Sequence, residues 1–470
     1  MLFLPELSLL GVGLVFFFLG LGEPSNTKTK NLAITLSALV VLITLACLKS
    51  EGELFYRAYR IDFFSQLFKL LIALATMIVL IFSDHLPGIK EKIQAEYYLF
   101  LFMAVLGLMM LVSSVEMLAI FVSLELSSFA VYIMVPMRSS SAISGSQVEA
   151  GIKYLLFGVM ATGLMLFGMS YIFGLTGSTQ LAIIAEKLNL VYSKPTAVVA
   201  IVLVLAGFFY KLALFPLHFW VPDVYEGSAN ETTAFIAAVP KLAAVALLIR
   251  IVTLINTGTE VIVNILVVCA LLSMFYGNLS ALVQKDAKRL LGFSGISHAG
   301  FVLIGLLTLD RSGYAMAMYY IIGYVFMNLA CFLVICSVSD KGGNVAIEDF
   351  TGLHKRAPLM AITLTVGLFA LAGIPPFVGF YGKFQLLVGA FKQGHLLLVI
   401  LAAINTAIAI YYYLSIVRVT FCSDSEERKT IVPSRLNNLL SLVLIMIIIV
   451  MGVLPEKFIQ LTATAVQAVM

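Results

Sequence analysis

Apolar stretches of about 18 or more residues between polar breaks set the pattern of this chain, since that is the length a helix needs to cross a bilayer. Fourteen occur, near 2–22, 31–48, 60–82, 97–114, 116–137, 148–175, 195–215, 231–254, 259–279, 289–309, 313–338, 357–391, 396–421 and 437–453. They greatly exceed the roughly 9–11 residues of a barrel strand, and polarity does not alternate along them. The pattern therefore predicts an all-α integral membrane protein of about fourteen transmembrane helices. An even number places both termini on one side. The N-terminal run carries Glu6 and no basic stretch before it, so it is expected to be the first span and not a cleaved signal.

Composition agrees with this reading. Of the 470 residues, 61% are hydrophobic and 11% charged, against roughly 25% charged in soluble domains. A net charge of +4 with a single tryptophan gives no basic face or stacking platform, so no nucleic-acid partner is expected. Cys47, Cys269, Cys331, Cys336 and Cys422 form no C-x-x-C pair and read as small hydrophobes, so neither a metal nor an iron–sulfur cluster is expected.

Sorting the 29 basic residues by position adds more. Fifteen, Lys288 among them, fall in loops on one side, and nine, Arg250 among them, on the side of the termini. The excess of basics marks the cytoplasmic side, so both termini are expected outside. Five lysines remain inside apolar runs: Lys69, Lys153, Lys211, Lys241 and Lys383. A lysine at mid-bilayer costs roughly 2.5–3.5 kcal/mol, so each needs a reason to be there. Lys153 lies about 8 Å inside its run, where snorkelling is as good an account as function. Lys69, seven residues after Asp62 on one helical face, reads first as half of a structural ion pair with it, with a functional role as the alternative. Lys211, Lys241 and Lys383 lie too deep for easy snorkelling, which favours function. The deep carboxylate is Glu125, in FVSLELSSF. Buried lysines with one carboxylate suit proton transfer, because burial and mutual attraction shift their proton affinities in opposite senses. A static ion pair would use the same residues.

Two runs are broken. Pro216 and Pro222 interrupt the seventh just after Lys211, and Gly373, Pro375, Pro376, Gly379 and Gly382 interrupt the twelfth just before Lys383. Interrupted helices at matching places in two halves point to a transporter with internal repeats. An offset of about 160 residues carries Pro216 to Pro376 and spans four to eight onto nine to thirteen. Five helices per unit make the two units inverted. The expected organisation is an N-terminal three-helix segment over 1–96, a first repeat over 97–254, a second over 259–421, and a loop, last span and tail over 422–470.

The stretches KLALFPLHFWVPDVYEG, TTAFIAAVPKLAAVALLIR, QKDAKRLLGFSGISHAGFVLIG and LAGIPPFVGFYGKF, in this order, resemble the antiporter-like subunits of respiratory complex I, the bacterial NADH-quinone oxidoreductase. PDVYEG and the lysine after VP resemble the subunit N branch more than L or M. The resemblance implies proton translocation through a relay in which Glu125 pairs with Lys211, Lys241 is central and Lys383 faces the opposite half-channel. Lys153 resembles a lesser sixth-helix lysine. His218 and His298 fall where hydrated paths are expected, and a histidine bonded to a broken-helix carbonyl is the alternative. His85, His354 and His395 read as loop residues. The resemblance further implies a bacterial inner membrane, other membrane-arm subunits and lipid as partners, and a non-redox role in the translocase. NADH, FMN, iron–sulfur clusters and quinone would bind other subunits. Departures from the resemblance, GSANETTAF and SGISHAG, bear on loop stiffness more than on the proton groups. A cation/proton antiporter subunit, or a subunit of a related hydrogenase-type redox pump, would share all these features.

Overall fold

The computed structural model describes residues 2–22, 26–83, 86–139, 145–188, 190, 194–254, 260–422 and 430–469. His85, expected as a loop residue, lies outside them. An N-terminal group consists of α1 (Leu4–Gly20), α2 (Asn26–Ala46), a two-stranded antiparallel hairpin of β1 (Gly52–Leu54) and β2 (Tyr59–Ile61), and α3 (Phe63–Phe82). Seven helices follow: α4 (Gln94–Ser113), α5 (Met117–Met134), α6 (Ser146–Thr176), α7 (Leu181–Leu188), α8 (Pro195–Leu212), α9 (Trp220–Gly227) and α10 (Asn230–Leu254). The next seven are α11 (Glu260–Ala281), α12 (Ala287–Leu307), α13 (Arg311–Val338), α14 (Leu353–Arg356), α15 (Pro358–Ala372), α16 (Val378–Lys392) and α17 (Leu396–Cys422). The chain closes with α18 (Arg435–Val453) and α19 (Pro455–Gln467).

Each apolar run holds helix, and among the described residues twelve helices are long and apolar enough to cross a membrane. The first run gives the shorter α1, and the twelfth is divided into α15 and α16. Five of these elements had no long apolar run to announce them: the hairpin, the eight-residue α7 and α9, the four-residue α14 and the amphipathic α19, which lies in the expected tail. Burial separates interior from perimeter. The apolar window of α12 is wholly buried and that of α10 is 94% buried, whereas that of α2 is 28% buried. The interior helices are those that carry the polar groups.

The two breaks are built alike. Ala213 (φ 64°) ends α8 and Gly373 (φ 85°) ends α15, both left-handed. Leu214 N bonds Phe209 O at 2.8 Å, and Ile374 N bonds Phe369 O at 3.0 Å. Leu217 N then bonds Leu214 O, as Phe377 N bonds Ile374 O. Each pair is 160 residues apart. This is the Schellman-type closure that satisfies helix-end carbonyls, and the proline after it prevents the helix from continuing. A second correspondence lies at the starts of α5 and α12. Glu116 caps α5 through Ala119 N at 2.7 Å, and Asp286 caps α12 through Arg289 N at 2.8 Å. Each capping residue also forms an isolated antiparallel bridge, Glu116 to Gln180 and Asp286 to Ala346.

Candidate proton-translocating site

Lys211 lies in the last turn of α8, where carbonyls at the helix end favour a cation, and its side chain is 3% exposed. Its ammonium donates to Ser128 Oγ at 3.0 Å and Ser127 Oγ at 3.3 Å on α5. Glu125, two residues earlier on that helix, is buried with Oε1 free of any hydrogen bond. The two charges interact electrostatically but form no contact ion pair. The expected Glu125–Lys211 pairing is thus an interaction through space, with serines as the direct partners of the lysine. The register of α5 explains this. Glu125 and Ser128 stand at i and i+3 on one face of α5, so the carboxylate lies most of a turn before the hydroxyl that the ammonium reaches.

Lys241 follows Pro240 on α10 and is 2% exposed. It donates to Tyr324 Oη at 3.1 Å and Gly295 O at 3.3 Å, and lies over the Tyr324 ring. A Cβ at Gly295 would stand 2.8 Å from the ammonium, so the close approach requires glycine. Lys383, on α16, donates to Leu371 O at 2.9 Å and Ala372 O at 3.2 Å. It caps the end of α15 from across the break and covers the Phe301 ring. The lysine therefore neutralises carbonyls that the break has freed.

His298 lies between these two lysines, and both act on it electrostatically. Its Nδ1 is 2.6 Å from Tyr320 Oη and its Nε2 3.2 Å from Tyr413 Oη. The phenols of Tyr320, Tyr324 and Tyr413 join α13 and α17 to the file. His218 differs. It is fully buried among Phe215, Phe219 and Tyr276, and neither ring nitrogen has a hydrogen bond. The alternative of a bond to a broken-helix carbonyl does not hold for it. His354 Nδ1 meets Thr420 O at 2.9 Å, at the end of the bundle.

Lys153 belongs to another system. It contacts Glu149 at 2.7 Å and Asp223 at 2.6 Å, and Asp223 meets Arg289, which also holds Glu226 at 2.6 Å. This chain of alternating charge joins α6, α9 and α12 at the bundle end. Burial pushes the Asp223 carboxyl up, but hydrogen bonds from Lys153 and Arg289 outweigh it and hold the group below the usual carboxylate range. Its pairs therefore stabilise α9 above the ordinary carboxylate range and lose that contribution as pH falls through the depressed value. Partly exposed pairs contribute roughly 0.2–1 kcal/mol each, so Asp223→Asn should lower the thermal midpoint of the solubilised protein by about one to two degrees at neutral pH and by less in acid. An equal effect at both pH values would exclude this account.

Three expectations about charge are corrected. Lys69 does not pair with Asp62; it meets Glu6 on α1 at 2.7 Å, both fully buried. Asp62 instead holds Arg250 at 3.0 Å, and Arg250, counted among the basics on the side of the termini, is 1% exposed at the end of α10. Lys288, expected in a loop, is fully buried. It donates to Ser228 O at 2.8 Å, while Arg138 donates to Glu226 O at 2.7 Å. These two cations close the end of α9, beside the buried Glu231. Depth in the sequence did not mark these acids: Glu6 lies four residues inside the run 2–22 and Glu231 opens the run 231–254, positions that counting alone reads as interface.

A bundle of membrane-length helices with two like breaks and a buried cation beside each defines a class of polytopic ion-translocating proteins. A sequence profile described as NADH:quinone oxidoreductase/Mrp antiporter, transmembrane, matches residues 114–409. The chain is 50% identical over 96% of its length to NADH-quinone oxidoreductase subunit N 2 of Opitutus terrae, covering 95% of that protein. It superposes on a chain of Thermus thermophilus respiratory complex I, solved with bound aureothin, with a TM-score of 0.83 and 28% identity, covering 98% of this chain and 99% of that one. A chain of an archaeal membrane-bound sulfane sulfur reductase matches with a TM-score of 0.86 and 25% identity over 100% and 96% of the two chains. The protein belongs to this antiporter-like transmembrane family, in its NADH-quinone oxidoreductase subunit N branch.

Proposed function

We propose that the chain translocates protons as a membrane-arm subunit of NADH-quinone oxidoreductase, with Glu125, Lys211, Lys241, His298 and Lys383 carrying the protons. The observation that supports it most is the nature of the partners. Lys211, Lys241 and Lys383 contact hydroxyls, carbonyls and aromatic faces, and among the described residues no carboxylate lies within ion-pair distance of them. A buried ammonium held only by neutral groups can release its proton when a neighbouring charge moves; one locked to a carboxylate cannot do so cheaply. Redox energy spent elsewhere in the complex shifts charge at Glu125 and Lys211. Lys211 then passes protonation toward Lys241, the His298–tyrosine cluster links Lys241 to Lys383, and Lys383 exchanges protons with the outside. Moving one proton against 100 mV requires about 2.3 kcal/mol, within reach of a change in lysine surroundings.

In this reading spans four to eight and nine to thirteen are inverted units, a view supported by the matched breaks and caps. Lys153 and His218 stand beside the path and not in it. The subunit performs no redox step; quinone, NADH, FMN and iron–sulfur clusters belong to its partners. Its place is the bacterial inner membrane with both termini outside. Affinity purification of the tagged chain should yield quinone-reducing partners, and proton uptake by vesicles should require redox substrate. Sodium-dependent proton flux without such substrate would instead make it an antiporter subunit.

A further inference from the structure

The relay leaves unused a buried acid–base pair in the N-terminal group. Glu6 and Lys69 meet at 2.7 Å with neither side chain exposed, and Tyr59 Oη donates to Glu6 Oε1 at 2.6 Å. A static pair of this kind should have every lone pair satisfied, since low polarity makes an unmet one costly. Here Glu6 Oε2, both amide atoms of Gln66 and Ser113 Oγ are buried without a protein hydrogen bond. Such positions are those that ordered water bridges.

These groups are arranged in a file. Asp62, Gln66 and Lys69 lie at i, i+4 and i+7 on one face of α3. Asp62 contacts the half-exposed Arg60, which lines an open cavity of about 390 Å³ with Arg57, Gln180 and Arg250. Inward from the pair, Tyr59 lies beside Ser113, and its backbone pairs with that of Ser114, whose hydroxyl donates to Met110 O at 2.8 Å. Ser114 Oγ is 3.4 Å from Ser123 Oγ on α5. One turn further along α5 are Ser127 and Ser128, the partners of Lys211. Helices α4 and α5 are close enough for this because Gly107 packs on the α5 backbone, where a Cβ would lie 2.5 Å from Ser127 N.

We infer that the N-terminal group holds a second proton-exchange route, from Lys211 along the α5 serines and Tyr59 to the Glu6–Lys69 pair and out past Gln66 and Asp62 to the hairpin end of the bundle. It rests on the reading of Lys211 as a proton carrier. Lys211 gives its proton to a serine oxygen as that hydroxyl passes its own along. Tyr59 protonates Glu6 and is reprotonated from the serine side, and Glu6 releases the proton through bridging water. The Ser114–Ser123 link, longer than the roughly 2.5–3.0 Å of a good hydroxyl bond, is the gate. An open link while Lys211 faces the other side would dissipate the gradient.

The test uses the whole complex in proteoliposomes, with protons moved and quinone reduced measured together. Glu6→Gln/Lys69→Met removes both charges and leaves none unpaired; Ser123→Ala removes the gate hydroxyl and spares the pair. Each should lower protons per quinone at least twofold with uncoupled quinone reduction unchanged, and Ser123→Thr, which keeps a hydroxyl, should restore the ratio. If the double variant does not assemble, Ser123→Ala decides alone. An unmodified ratio in Ser123→Ala, or in an assembled double variant, overturns the route. Unmodified pumping in Lys211→Ala overturns the relay itself.

Discussion

Alanine at Lys211 is expected to lower proton flow through this subunit about a hundredfold, since a positioned acid–base group contributes on the order of 10²–10⁴. The ammonium is the charged group at the α8 break, and Ser127 and Ser128, its direct partners, cannot hold a proton at neutral pH. Protons moved per quinone reduced should fall, while quinone reduction in the presence of an uncoupler should not. Lys211→Arg gives the sharper result. Arginine keeps the positive charge next to Glu125 but does not lose its proton, so it should fail as alanine does if Lys211 is a carrier. If arginine sustained pumping, the position would need only a fixed charge, and the relay would have to pass elsewhere. Glu125→Ala should also reduce pumping, since it removes the carboxylate whose charge acts on Lys211.

Lipid made the architecture legible. Backbone groups in a bilayer must be satisfied within the helix, so long apolar runs have one structural outcome and fourteen could be read directly. The breaks were equally readable, because proline removes a donor wherever it stands. Lys211, Lys241 and Lys383 were found by depth, which is a property of sequence position. Their partners are a matter of tertiary contact. Lys241 meets Gly295 and Tyr324, 54 and 83 residues away, and nothing in the local pattern marks those residues. Tyr320, Tyr324 and Tyr413 read as core aromatics until the structure set their hydroxyls around His298. Residues near helix ends defeated the depth argument for a different reason. Glu6, Lys288 and Arg250 sit within a few residues of a run's boundary, where interface and interior cannot be told apart by counting. Only the neighbouring helices decide which they are. Lys69 was misassigned because Asp62 is on its own helical face, whereas the nearer carboxylate in space comes from α1, across 63 residues of chain.

The largest expected effect on stability is at Arg250. Its guanidinium reaches both oxygens of Asp62, at 3.0 and 3.1 Å, and lies over the Phe64 ring. Asp62 at the same time caps α3, accepting from Ser65 N at 2.8 Å. The contact fastens the first three helices to α10, which also carries Lys241. Removing the arginine alone leaves a carboxylate that is 5% exposed, with the Ser65 amide and, among the described residues, Arg60 at 3.5 Å to offset its charge. Breaking one side of a buried pair costs about 3–5 kcal/mol, enough for Arg250→Ala to deplete the assembled complex several-fold and lower its thermal midpoint. The double variant Asp62→Asn/Arg250→Met should recover most of the loss, because asparagine still caps the helix and no charge is stranded. Native gel analysis of solubilised membranes would measure both. If Arg250→Ala assembled like the unmodified chain, the ion pair would be dispensable; if the double variant were no better than the single, the arginine would act through its other contacts and not through Asp62.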